Sequence, residues 1–140
     1  MKSGYPACSS RGIGRAGETI ACDYLVKSGY GIVARNLYVG HEEIDIICED
    51  EKYIVFTEVK LRTYAVGGRS VYGRPSAAVN ANKRRHIAGA AQQYIRLNPT
   101  DKFQRIDVVE ITISPVETAE GFVCAEINHI KGAFGAGGRL

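Results

Sequence analysis

Apolar residues recur along this chain in two rhythms, and the switches between them outline a fold. From about Gly14 to Ser28, Glu18, Ala21, Cys22 and Leu25 fall at i, i+3, i+4 and i+7, the spacing of one helical face, and Gly29 follows as a helix stop. Three runs rich in β-branched and aromatic residues come next, Tyr30 to Leu37, Ile44 to Cys48 and Tyr53 to Leu61, and each predicts a strand. Glu49-Asp50-Glu51-Lys52 predicts a hairpin turn between the last two. Gly67, Gly68, Gly73 and Pro75 mark Thr63 to Pro75 as a long mobile loop. Ser76 then offers an N-cap for a helix reaching Leu97, with Ile87, Ala88, Ala91, Tyr94 and Ile95 as its apolar stripe and Asn98-Pro99 as its end. Phe103 to Ile113 and Phe122 to Ile130 predict two more strands, separated by a break at Ser114-Pro115 and an acidic loop.

The order αβββαββ describes an α/β domain, a mixed β-sheet flanked by helices. Three strands arrive consecutively, and no G-x-G-x-x-G or P-loop follows any of them, which excludes a doubly wound dinucleotide-binding fold. With 140 residues and 45% hydrophobic content, the chain supports one domain with a true core, spanning 13–131. The glycine-rich ends, 1–12 and 132–140, read as flexible arms.

Charge and cysteines add less. A formal charge of +3 permits nucleic-acid binding without arguing for it. The cysteines at 8, 22, 48 and 124 form no C-x-x-C pair and have no histidine at zinc-ligand spacing, so they suggest scattered thiols in a reducing compartment. Neither a secretory apolar run near the N-terminus nor a membrane-length segment occurs, which implies a cytoplasmic location and no membrane partner.

The hairpin changes the picture. Side chains alternate along a strand, so Glu58 and Lys60 share a face, as do Glu43 and Asp45. A turn centred between Asp50 and Glu51 would set Glu43 opposite Glu58 and Asp45 opposite Phe56, which brings Glu43, Asp45, Glu58 and Lys60 together. Three carboxylates beside one amine leave excess negative charge that a bare apolar core could not hold. A hard divalent cation resolves it, so Mg2+ or Mn2+ held by Asp45, Glu58 and a backbone carbonyl is expected. Lys60 would then stabilise charge on a phosphate. An isolated E-x-K reads far more readily as a solvated ion-pair face, and it is the upstream Asp45 and the buried-face Glu18 that change the balance. Glu18 sits on the apolar stripe of the first helix, either as a further acid of the site or as a helix-start carboxylate favoured by the N-terminal dipole.

Basic residues follow the hairpin: Arg62, then Arg69 and Arg74 in the loop, then Lys83, Arg84 and Arg85 near the start of the second helix. These are candidate phosphate contacts, and Tyr64 and Tyr72 read as ordinary loop residues rather than base-stacking ones. His41, His86 and His129 have no sequence-local partners that would suggest a triad.

Gly17-Glu18, Arg35-Asn36-Leu37, Glu43-Ile44-Asp45-Ile46-Ile47, Phe56-Thr57-Glu58-Val59-Lys60-Leu61-Arg62, Lys83-Arg84-Arg85 and Arg105-Ile106-Asp107-Val108-Val109 together resemble the YraN-like family of the PD-(D/E)-x-K nuclease superfamily. The resemblance covers about Gly14 to Phe134, with one departure: the Gly usual before the Glu-Ile-Asp triplet is Glu42 here. It implies a restriction-endonuclease-like core similar to that of Holliday-junction resolvases. It places catalytic roles on Glu18, Asp45, Glu58 and Lys60, with the metal held by Asp45, Glu58 and Val59. The activity implied is metal-dependent endonucleolytic cleavage of DNA, branched or structured forms included, and resolvase-like action would favour a homodimer. Two alternatives stand beside it: a non-catalytic nucleic-acid-binding protein that keeps the fold, and an interaction protein whose hairpin charges are plain ion pairs.

Overall fold

The computed structural model describes residues 3–5, 10–63, 81–118 and 121–134. Its elements are β1 (Ser3–Tyr5), α1 (Ser10–Lys27), β2 (Gly31–Val39), β3 (Glu42–Glu49), β4 (Tyr53–Thr63), α2 (Ala81–Leu97), β5 (Phe103–Thr118) and β6 (Gly121–Phe134). The expected αβββαββ order is present, preceded by the three-residue β1. The strands form one mixed sheet in the order β1-β6-β5-β4-β3-β2. Only β4 and β5 run parallel, from Tyr53↔Phe103 to Thr63↔Ile113, and α2 lies in the long connection that a parallel pair requires.

Alternation along β4 divides the core between the two helices. Val55 points with Ile46, Cys48, Val109, Ile111 and Ile113 toward the Ile20, Ala21 and Leu25 stripe of α1. Ile54 and Phe56 point the other way, with Ile47 and Ile106, toward Ile87, Ala88, Ala90 and Ala91 of α2. Gly17 lets α1 come close to β4, since a Cβ there would lie 3.1 Å from Leu61 Cδ1. The end of α1 is fixed by Gly29 at φ 102°, with Gly29 N donating to Val26 O and Tyr30 N to Leu25 O, the paired bonds of a Schellman stop.

Several boundaries differ from the expectation, each for a local reason. Helix α1 starts at Ser10, so Glu18 lies in its third turn, beyond the reach of the helix dipole, and the helix-start reading of that carboxylate is corrected. Strand β5 continues through Ser114-Pro115 to Thr118. There Pro115 pairs with Phe122 of β6, so the proline extends the strand where a break is expected. The expected loop with Arg69, Arg74, Tyr64 and Tyr72, and the Ser76 N-cap, lie outside the described residues.

On the α1 side, β5 and β6 hold a buried polar network. Asp107, fully buried, accepts from Arg105 Nε and Nη2 at 2.8 and 2.9 Å, from His129 Nε2 at 2.6 Å and from Gly132 N at 2.9 Å. His129 Nδ1 lies 3.0 Å from Tyr24 Oη, and Arg105 donates to Tyr30 Oη at 2.6 Å, so the network ties the end of α1 to both strands. Burial raises the Asp107 pKa, but the bonds from His129, Arg105 and Gly132 outweigh it and hold the carboxyl below its ordinary value. Replacing Asp107 by Ala would strand the Arg105 and His129 groups without their anion. The expected loss is about 3–5 kcal/mol of unfolding free energy, measured by urea denaturation at pH 7.

Candidate functional site

The site begins where the hairpin stops being a hairpin. Asp50 Oδ1 accepts from Lys52 N at 2.8 Å and Tyr53 N at 2.7 Å, while Asp50 N donates to Tyr53 O, so the turn centres between Glu51 and Lys52. The register is accordingly Ile47↔Phe56 and Ile46↔Thr57, two residues from the expected one, and Asp45 does not face Phe56. A two-residue slip by itself preserves the face of every side chain, so Glu58 and Lys60 keep theirs, but on β3 Ile44 and Ile47 enter the same core cluster, so alternation breaks between them and parity alone does not place Asp45. Past Ile46↔Thr57 the ladder ends. Continued, it would set Ile44 against Val59. Instead Val59 N donates to Asp45 Oδ2 at 2.9 Å, and the carboxylate fills the place of a backbone acceptor.

This opening forms one wall of a cleft of about 930 Å3 lined by Glu18, Thr19, Arg35, Asn36, Glu43, Asp45, Glu58, Val59, Leu61 and Lys83. Glu58 is only 7% exposed. Its two oxygens meet two ammonium groups, Lys60 Nζ at 3.8 Å from Oε2 and Lys83 Nζ at 3.9 Å from Oε1. Burial raises the Glu58 pKa, the two lysines Lys83 and Lys60 oppose the rise, and Glu42 and Glu43 add to it. Asp45 is pushed up to about 7, first by burial and then by the charge of Glu58, with smaller contributions from Glu18 and Glu43, against the lowering effect of the Val59 bond.

Glu18 reaches the cleft from α1, where its Oε2 accepts from Asn36 Nδ2 at 2.9 Å. Glu43 lines the same cleft, whereas Glu42 turns to His86 Nδ1 at 3.1 Å. Of the basic residues, Lys83 joins the site through Glu58. Arg84 and Arg85 are exposed on α2, with Arg85 donating to Asn82, and Arg62 stands on β4 two residues beyond Lys60. Arg74 lies outside the described residues.

Among the described residues, no three His, Cys, Asp or Glu side chains group closely enough to hold a metal ion by themselves. Asp45 and Glu58 are the two cleft acids with raised pKa, and Glu18 and Glu43 line the same cleft. One or two carboxylates completed by waters is the usual protein contribution to Mg2+, and no His or Cys among the cleft residues would select zinc. No helix among the described residues is long and apolar enough to cross a membrane.

Two features escape a reading of the sequence. Asn36 stands in a segment that carries the family resemblance, but nothing in the sequence assigns it a role, and its contact is 18 residues away. The partners of His129 lie 22 and 105 residues distant, so the histidine dismissed for lack of local partners belongs to the Asp107 network.

A model of the family described as "Uncharacterised protein family UPF0102" matches residues 17–111, a span that includes Glu18, Asp45, Glu58, Lys60 and Lys83. A UPF0102 protein of Symbiobacterium thermophilum is 44% identical over 107 residues, 76% of this chain and 86% of its own length. A UPF0102 protein of Caldanaerobacter subterraneus subsp. tengcongensis is 37% identical over 123 residues, 87% of this chain and 93% of its own. Among solved structures, Pyrococcus furiosus SfsA in complex with Ca2+ superposes with a TM-score of 0.44 at 16% identity, covering 85% of this chain and 64% of that one. That likeness is loose, and no assignment rests on it.

The raised Asp45 pKa gives a signed pH dependence. In the unfolded chain the carboxyl ionises near 3.9, whereas in the fold it keeps its proton up to about 7. Between these values the folded state binds more protons, so stability falls as pH rises through that window. Asp45→Asn is expected to match wild type in thermal midpoint at pH 4 and to exceed it at pH 8. Equal midpoints at pH 8 would show the carboxylate to be unstrained.

Proposed function

The chain belongs to the uncharacterised UPF0102 (YraN) family, and on that premise we propose that its cleft is the site of a metal-dependent phosphodiesterase, an endonuclease acting on DNA. One observation carries the reading: two largely buried carboxylates, Asp45 and Glu58, line an open cleft with Lys83, Lys60 pairs with Glu58 beside it, and both acids are pushed above their ordinary pKa. A site built only for stability would have no reason to hold both.

Asp45, Glu58 and the Val59 carbonyl would hold Mg2+ or Mn2+. A divalent ion bound there supplies Lewis-acid stabilisation of a phosphate and lowers the pKa of a water molecule. The chain's own groups do the rest. Val59 N–H fixes the Asp45 carboxylate, leaving Oδ1 free of that bond. Lys60, a quarter exposed, sits on the solvent side of Glu58 and is placed to neutralise charge developing on a phosphoryl oxygen. Lys83, Arg84 and Arg85 present a basic turn of α2 beside the cleft, where contacts to the phosphate backbone would give affinity without sequence preference.

A second reading, DNA binding without cleavage, is favoured by the same ion pairs, because Lys60 and Lys83 already balance Glu58 without a cation. The two readings part on cleavage of linear, flapped and branched DNA in 5–10 mM Mg2+ or Mn2+, taken as a working range well above ordinary Kd values. On the nuclease reading Glu58→Ala lowers the rate by on the order of 100-fold or more. Equal background from wild type and variant on every substrate leaves the binding reading. Lys83→Ala and Arg85→Ala are each expected to weaken DNA affinity and to reduce the slope of log K against log salt by about one, as measured by fluorescence anisotropy.

A further inference from the structure

We infer that Asn36 is a positioning residue for this site, holding Glu18 at the cleft through its amide and Asp45 through its backbone. The inference rests on the cleft reading proposed above and adds to it a residue that touches no substrate.

Asn36 is the one non-glycine residue with positive φ, 49°, among the described residues, and it lies inside a strand. That conformation is uncommon for L side chains and least unfavourable for Asn, and such residues concentrate at functional sites. Its neighbours Arg35 and Leu37 pair with Ile46 and Ile44, the residues that flank Asp45. On β3, Ile44 and Ile47 both enter the α2-side core although they are three residues apart, which strict alternation forbids. The pleat is therefore interrupted between them, opposite Asn36, and Asp45 is the residue left facing the cleft and Val59.

The side chain performs the second task. Asn36 Nδ2 donates to Glu18 Oε2 at 2.9 Å, joining edge strand β2 to the third turn of α1. An amide orients a carboxylate without neutralising it, whereas the adjacent Arg35, in the same place, would pair with its charge. Arg35 instead reaches Thr19 Oγ1 at 3.4 Å. A single exposed hydrogen bond adds little stability, so its use is geometric.

The two tasks separate by substitution. Asn36→Gly accepts the positive φ without steric cost but has no amide, while Asn36→Ala loses the amide and opposes the backbone as well. Mn2+ is titrated by calorimetry into wild type, N36G, N36A, E18Q and the double variant E18Q/N36G at pH 8. N36G and E18Q are each expected to weaken Mn2+ binding about tenfold, the double variant no further than either, and N36A more than N36G. The thermal midpoint of metal-free N36G stays near that of wild type. Without metal, the Asn36 side-chain amide resonance, followed by NMR, shifts in E18Q. If wild type binds Mn2+ and N36G binds it equally well, or if the two single effects multiply, the inference is overturned while the cleft reading stands. If wild type binds no Mn2+ at all, the cleft reading fails and takes the inference with it.

Discussion

Beyond Ile46 and Thr57 the backbone of β4 loses its partner strand, and a side chain, Asp45, takes the Val59 N–H in place of a carbonyl. An unpaired N–H inside a sheet is costly, so whatever splits β3 from β4 must supply an acceptor at that point. A carboxylate does so and brings a charge with it. Because β4 stays paired with β5 through Thr63, the split bends β3 away without loosening the strand that carries Glu58 and Lys60. One bond thus permits the cleft, places the first acid in its wall, and leaves the second, buried, on a strand paired with β5.

The electrostatic consequence is a site poised against itself. Glu58 raises the proton affinity of Asp45 on top of the effect of burial, Glu42 and Glu43 add to that of Glu58, and two lysines at 3.8 and 3.9 Å are too distant to offset Glu58 as well as a close bidentate pair would. The rest of the domain tolerates this because its stability is gathered elsewhere. Both helices pack on fully buried aliphatic faces, and Asp107, with four donors around it, shows how the same fold treats a charge that it merely has to bury. The contrast between the two aspartates, one with lowered and one with raised pKa, separates a structural carboxylate from one that lacks its counter-charge.

The periodicity of the sequence was enough to find both helices and five of the six strands, since each buries a face whose spacing is visible in the residues themselves. That Glu58 and Lys60 share one side of the hairpin was legible for the same reason, whereas Asp45 joins the cleft through the break in alternation between Ile44 and Ile47. Their register was not, because the turn is centred by Asp50 bonding to Lys52 and Tyr53, a choice of turn geometry that the string Glu-Asp-Glu-Lys leaves open. Glu18 could be placed on a helical face but not given a partner, as Asn36 is exposed and distant in the chain. The network of Arg105, Asp107 and His129 was not legible: Arg105 and Asp107 entered only through the family resemblance, and although β5 and β6 are consecutive antiparallel strands, no local pattern distinguishes a polar pair that meets across a sheet from two that face water.

The α2 side of β4 and β5 changes character halfway along, and this bears on why the site lies where it does. Ile54, Phe56 and Ile106 form an apolar floor beneath α2. Beyond them the same face carries Glu58, Lys60 and Arg62 on β4 and Glu110 and Thr112 on β5, with Lys60 in register with Glu110 and Arg62 with Thr112. The reverse face of the same stretch stays aliphatic, with Val59, Leu61, Val109, Ile111 and Ile113. Glu110 is 3% exposed; its Oε1 accepts from Asn128 Nδ2 at 2.8 Å, while Oε2 has no hydrogen-bond partner among the described residues. A carboxylate oxygen left that way opposes folding. Stability alone gives no reason for acids and bases to replace aliphatics on one face only, when the other face shows that the strands accept them.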